Sequence, residues 1–177
     1  MPSGEIGIYR TYRNANTLIS GDSSRSACTS FNATKYNDNN IVFSIGSRLT
    51  TWSGGENMNF ALAIRNGTHV DVFGMQGKYD NRFINVGPAT LYDGAFHQIC
   101  VTYNSLNSKL CVYRDSQAPT CLIRSNGPYN TAISDVRIGW WPDLTWQFVG
   151  TGGGQIKSLA LFNMEISQDC VIQTNTN

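Results

Sequence analysis

GAFHQICVTYNSLNSKLCVYRD, residues 94–115, reads as two strands joined by a polar turn, and it decides the fold class. Ile99, Val101 and Tyr103 alternate with Gln98, Cys100 and Thr102, the period-two pattern of a strand with one buried face. Asn104, Ser105, Asn107 and Ser108 supply the turn, and residues 110–113 return. Working outward, residues 6–12, 17–20, 28–32 and 41–45 read as strands, with bends at 13–16 and 37–40. Residues 60–64 and 69–75 alternate and face each other across Asn66-Gly67, a strong hairpin signal. Strands at 83–86, 122–125, 136–140, 146–149 and 156–162 bring the total to about twelve, spaced as in a sandwich and not a parallel α/β sheet. Residues 51–57 read as loop and 166–172 as one short helical turn near the C-terminus.

Composition agrees. A chain of 177 residues suits one domain, 1–177, with a two-layer core, and no repeat or linker divides it. Charged residues make up 14%, with 4 Lys and 3 Glu against 18 Asn and 17 Gly, a balance that favours strands and turns over helices. A formal charge of +1 without a basic cluster gives nucleic acid no footing. No apolar run of about 18 residues exists, so no membrane span is expected. MPSGEIGIYR lacks the apolar centre of a secretory signal, while Asn32-Ala33-Thr34 and Asn66-Gly67-Thr68 are glycosylation sequons. The expectation is a secreted or extracellular chain with its signal removed, or a piece of a larger extracellular protein.

A second stretch, FVGTGGGQIKSLALFNMEIS at 148–167, adds a glycine-rich lead-in, a strand and a polar stop. Together with residues 93–103 it resembles the laminin-G and pentraxin branch of the concanavalin A-like jelly rolls. In that branch "DG-x-W/F-H-x-(I/V)-(C/A)-V-T-(W/Y)" precedes "FVG-x-I-x-x-(L/V)-x-(L/I/M)-(F/W)-x-x-x-(L/I)-S". The resemblance implies an all-β, two-sheet antiparallel jelly-roll β-sandwich. Such sandwiches bind sugars, phospholipid head groups or other proteins, so it implies recognition or adhesion. The family brings a late strand back beside the first. Nothing after Phe162 has strand character, so that partner strand is expected to be missing or to lie elsewhere.

Five cysteines, at 28, 100, 111, 121 and 170, contain no C-x-x-C pair, which argues against zinc and for structural disulfides. In pentraxins the cysteine of the His-x-x-Cys strand pairs with one on an early strand, which implies Cys28–Cys100 and leaves Cys111–Cys121 to close a hairpin. The alternative is Cys100–Cys111, directly opposed if the turn occupies 104–107. Either way Cys170 remains, a candidate for an intermolecular bond and a homo-oligomer.

The resemblance also implies a calcium site. NATKYNDNNIVFS at 32–44 is similar to the family segment whose Asp-Asn pair supplies calcium oxygens, which maps onto Asp38 and Asn39. The family's second contribution, "L-G-Q-E-Q-D", meets IGWWPD at 138–143, where only Asp143 is kept. Calcium takes about six to eight oxygens, so these three make a thin site. Otherwise Asp38 and Asn39 shape the 37–40 turn as Asx residues do.

Aromatic residues point elsewhere. Trp140, Trp141 and Trp146 cluster near Phe148 in what reads as a loop at the ligand-bearing end, and Trp52 lies in another loop. Indole faces stack on sugar C–H faces and grip cations, while Arg48, Asn57, Asn59 and Asp143 can add orienting hydrogen bonds. Alternation sends one of Trp140 and Trp141 inward and the other outward. No enzyme reading competes: Glu5, Glu56 and Glu165 stand alone, and no alternating carboxylate strand exists. His69 and His97 lack a nucleophilic partner, and His97 reads as a fold-signature position. GTGGGQ at 150–155 leads into a strand without Lys-Ser or Lys-Thr, so it is no phosphate loop. The expectation is a non-enzymatic module binding carbohydrate or a small head group, or else one that assembles with extracellular proteins.

Overall fold

The computed structural model describes residues 10–12, 19–34, 40–46, 59–74, 82–124, 128–133, 135–140 and 154–167. Eleven strands and no helix occur among them. These are β1 (Arg10–Tyr12), β2 (Arg25–Ala33), β3 (Asn40–Gly46), β4 (Asn59–Ile64), β5 (His69–Phe73), β6 (Arg82–Asn85), β7 (Phe96–Asn104), β8 (Lys109–Arg114), β9 (Thr120–Ile123), β10 (Asp135–Ile138) and β11 (Gly154–Phe162). They form a six-stranded sheet, β1-β10-β3-β4-β5-β6, and a five-stranded sheet, β11-β2-β7-β8-β9. Every pairing is antiparallel, giving the two-layer sandwich expected from the strand spacing and the jelly roll that the resemblance implied.

Alternation sorts each strand. In β4, Phe60, Leu62 and Ile64 enter the core while Asn59, Ala61 and Ala63 face outward. In β7, Ile99, Val101 and Tyr103 point in, and Cys100 points out. Phe60, Tyr103 and Tyr129 meet edge to face, with ring centroids 5.5 Å and 4.8 Å from Tyr129. Arg25 is fully buried among these rings, its guanidinium 5.6–5.9 Å from their centroids. It donates to Ser23 O, Thr131 Oγ1 and Gly21 O at 2.8, 2.5 and 2.6 Å, which offsets the cost of taking the charge out of water. Gly74 is required by the same cluster, since a Cβ there would lie 2.4 Å from a Tyr129 ring carbon.

The structure joins Cys28 to Cys100, across β2 and β7, and Cys111 to Cys121, across β8 and β9. The alternative Cys100–Cys111 bond is ruled out by register. The turn is Ser105–Ser108, one residue later than 104–107, so Asn104 pairs Lys109 and Cys100 faces Tyr113. That one-residue move displaces the pairing by two, to Thr102 opposite Cys111. Asn104 and Asn107 hold the turn by accepting from the backbone of Leu106 and Lys109 at 2.9 and 3.0 Å.

Other expectations are also revised. Ile19 and Ser20 are not strand, and the strand expected at 122–125 is β9, two residues earlier. The first described strand does have a late partner: β10 pairs with β1, and β11 pairs with β2. Ile166 and Ser167 carry no helical geometry, and the rest of that expected helical turn lies outside the described residues. Residues 164–166 instead cross the outward face of the five-stranded sheet. There Ser26 Oγ donates to Met164 O and accepts from Ile166 N, at 2.8 and 3.1 Å.

Candidate functional site

The outward face of the six-stranded sheet is polar and buried at once. Facing away from the core are Asp135 and Arg137 from β10, Ile41 and Ser44 from β3, Asn59, Ala61 and Ala63 from β4, and Asp71 from β5. All are at most 6% exposed. Ser44, Ala61 and Ala63 make a floor of small side chains, with Arg137 on one flank and Asp71 on the other. Arg137 donates to Gly46 O and Asp135 Oδ2, at 3.3 and 3.4 Å, so its fork is oriented along the sheet.

Trp140 follows β10 after Gly139, whose φ of +81° turns the chain. Its main-chain oxygen accepts from Ser44 Oγ at 2.9 Å, which fixes the residue against β3. Its half-buried indole packs on Arg137, with the guanidinium carbon 5.7 Å from the ring centroid. Trp140 Nε1 and Asn59 Oδ1 are both buried and without a hydrogen-bond partner, as is Asp71 Oδ1. Buried polar atoms are otherwise almost always paired, so one donor and two acceptors on one sheet face require an explanation. Asp71 is held by Arg65 through its other oxygen, yet burial outweighs that cation and raises its pKa above the usual value.

The sequence singled out Trp140 and Asn59 but not their neighbours. The signal was present: in DVRI and HVDVF a charged residue stands between β-branched apolar ones, the pattern of a charge on the outward face. Of the other expected ligand-binding or metal residues, Trp52, Trp141, Trp146, Asp38, Asn39 and Asp143 lie outside the described residues, with Arg48, Asn57 and Cys170. Among the described residues no group of three or more His, Cys, Asp or Glu is placed to hold a metal. No described helix is long and apolar enough to cross a membrane.

His97 sits in a clamp. Its Nδ1 lies 3.1 Å from Asp115 Oδ2 and its Nε2 3.1 Å from Asp93 Oδ1. Asp115 Oδ1 also accepts from Gln98 N, and Asp93 Oδ1 from Ala95 N, both at 2.8 Å. The Ala95 bond is the main cause of a lowered Asp93 pKa, followed by the His97 contact. Beside it Arg114 reaches Ala89 O and Thr90 O, at 2.6 and 3.3 Å, tying the segment before β7 to β8. The imidazole joins two loops.

With the geometry in place, the fold is a jelly-roll sandwich similar in shape to those of a pentraxin, a CBM40 domain and laminin G domains. No protein-family profile matches the sequence, and no curated protein sequence does. Solved structures do match in shape. The CBM40 domain of the Ruminococcus gnavus IT-sialidase, bound to α2,3 sialyllactose, aligns at 14% identity over 97% of this chain and 95% of that one, with a TM-score of 0.71. A pentraxin from Limulus polyphemus aligns at 12% identity over 89% and 71% of the two chains, TM-score 0.63. Domains LG4-5 of the mouse laminin α1 chain align at 13% over 92% and 41%, TM-score 0.60. These likenesses establish the fold.

Proposed function

We propose that this chain is a non-catalytic, secreted recognition module that binds glycan against the outward face of the six-stranded sheet, at its Trp140 end. The observation that carries this reading is Trp140 packed on Arg137, with an unpartnered indole N–H and the unpartnered Asn59 carbonyl on the same face. Sugar hydroxyls both donate and accept, the chemistry these two atoms call for, and a sugar's C–H face can cover the exposed part of the half-buried indole. A sialylated oligosaccharide is what the CBM40 neighbour holds. Trp141, Trp146 and Trp52 extend the aromatic platform, and calcium on Asp38, Asn39 and Asp143 orders the loops around it. Two disulfides suit the oxidising setting outside the cell.

The test is binding to a panel of sialylated and neutral oligosaccharides, in millimolar calcium and again in EDTA. Trp140→Ala, with both disulfides intact and an unchanged far-ultraviolet spectrum, is expected to weaken binding by about tenfold or more, the scale of a lost anchor. Asn59→Ala keeps the indole and is expected to weaken it several-fold. Weaker binding and a lower melting temperature in EDTA are the results expected for calcium, since a ligand of the folded state stabilises it. Binding untouched by either substitution would overturn the site.

A second reading, an assembly module, draws on the edge strand β9, where Ile123 is 63% exposed, and on the leftover Cys170. A ladder on a non-reducing gel, together with no captured glycan, would favour it.

A further inference from the structure

Phe96 is half exposed at the start of β7, an apolar ring on the outward face of the five-stranded sheet. Its partner directly across β2 is Asn32, the acceptor of the sequon Asn32-Ala33-Thr34. The two side chains share a face, because Ser26, Cys28, Ser30 and Asn32 alternate with the core residues Ala27, Phe31 and Ala33. Directly opposed residues on one face have Cβ atoms about 5 Å apart, within reach of one sugar ring. Asn32 Oδ1 accepts from Gln155 N at 2.7 Å, so the carboxamide is fixed by its oxygen, and its nitrogen makes no hydrogen bond among the described residues. Lys157, which falls at the register shift in β11, holds its ammonium 6.0 Å from the Phe96 ring centroid.

The other sequon lacks these features. Asn66 is exposed in the β4–β5 turn, where its Oδ1 lies 2.8 Å from His69 Nδ1. None of the exposed large apolar side chains belongs to that turn. A glycan on Asn66 would extend into water. One on Asn32 would begin beside an uncovered aromatic ring.

We infer that Asn32 carries an N-linked glycan and that Phe96 is the seat on which its first sugar packs. The inference rests on the secretory part of the reading above and is independent of glycan binding at Trp140. The donor is an oligosaccharide linked through C1 to a polyprenyl diphosphate. The Asn32 Nδ2–C1 bond forms, the C1–O bond to the diphosphate breaks, the diphosphate leaves with the electron pair, and the amide proton passes to base. The transfer precedes folding, because in the sandwich Asn32 is hemmed in by β11 and β7. After folding, the apolar face of the sugar covers the ring and removes it from water. Lys157 then borders the sugar and no longer caps the ring.

The experiment expresses the wild type, Asn32→Gln, Phe96→Ser and the double variant through the secretory pathway of a eukaryotic cell. Mass spectrometry before and after peptide:N-glycosidase reads occupancy, and thermal melts complete a double-mutant cycle. The expected results are an occupied Asn32, and a melting temperature several degrees lower in Asn32→Gln. That loss is expected to shrink in the Phe96→Ser background to what the lost Gln155 N–Asn32 Oδ1 bond accounts for. Native digestion of the Asn32 glycan is expected to be slow in the wild type and faster in Phe96→Ser. An unmodified Asn32 in secreted wild type overturns the site. An Asn32→Gln effect of equal size in both backgrounds, with equal digestion rates, overturns the seat.

Discussion

The outward face of the five-stranded sheet carries two disulfides with Tyr113 and Phe162 beneath residues 164–166, whereas that of the six-stranded sheet carries Arg137, Ser44, Asn59 and Asp71. The first is buried at Cys28, Cys100, Cys111 and Tyr113 and the second at all the residues named, by opposite means. The first is closed mainly by covalent and apolar contacts, with Thr102 Oγ1 buried there without a partner. The second buries charge and leaves Asn59 Oδ1, Asp71 Oδ1 and Trp140 Nε1 without partners, an arrangement that costs stability. Proteins keep such groups where function needs them. Under the proposed function, stability concentrates on one face and recognition on the other.

The largest effects should come from unfastening the closed face. Replacing Cys28 and Cys100 together by Ala opens a loop spanning 72 residues, and chain entropy puts the loss at about 4 kcal/mol. Replacing Cys111 and Cys121 opens one spanning 10 residues, for about 3 kcal/mol. Urea melts of the two double variants check the order, and a larger loss at Cys111–Cys121 would contradict it.

A smaller loss, about 2 kcal/mol, is expected for Gly74→Ala, which drives a methyl group into the Tyr129 ring beneath the polar face. Gly21→Ala serves as a control at a position with open space, where only the positive φ opposes the change. Equal melting temperatures for Gly74→Ala and the wild type would mean that the ring moves aside at no cost.

The smallest effect is in pH. Asp71 has a folded pKa raised above its ordinary 3.8, so the folded state holds that proton more tightly than the unfolded chain. Stability then falls as pH rises from 3.8 through the raised value. Asp93 has its pKa lowered, so its contribution is full above 3.8 and is lost as pH falls through the folded value. Stability measured between pH 2 and 7 should show these slopes with opposite sign. Asp71→Asn should remove the first and Asp93→Asn the second, and identical profiles for both variants would break the distinction.

The closed face was the more legible in the sequence. Residues 94–115 alternate cleanly, and the resemblance to pentraxins already implied Cys28–Cys100, with Cys100–Cys111 as the alternative. What could not be read was the turn position, because Asn104 and Asn107 both make Asx bonds and only the folded register shows which residues close the hairpin. The polar face was half legible. Trp140 and Asn59 stood out as residue types, but Arg137 and Asp71 are single charges inside short apolar strands, and their neighbourhood depends on β10 crossing to lie beside β3. No local pattern encodes that crossing.

The most direct test is the affinity of the wild type and of Trp140→Ala for an oligosaccharide captured from a sialylated and neutral panel, with the fold of both checked by their disulfides and melts. The account predicts that the wild type binds and that the variant loses about tenfold or more. Capture of no glycan in calcium or EDTA, or equal affinity of the two proteins, would contradict it.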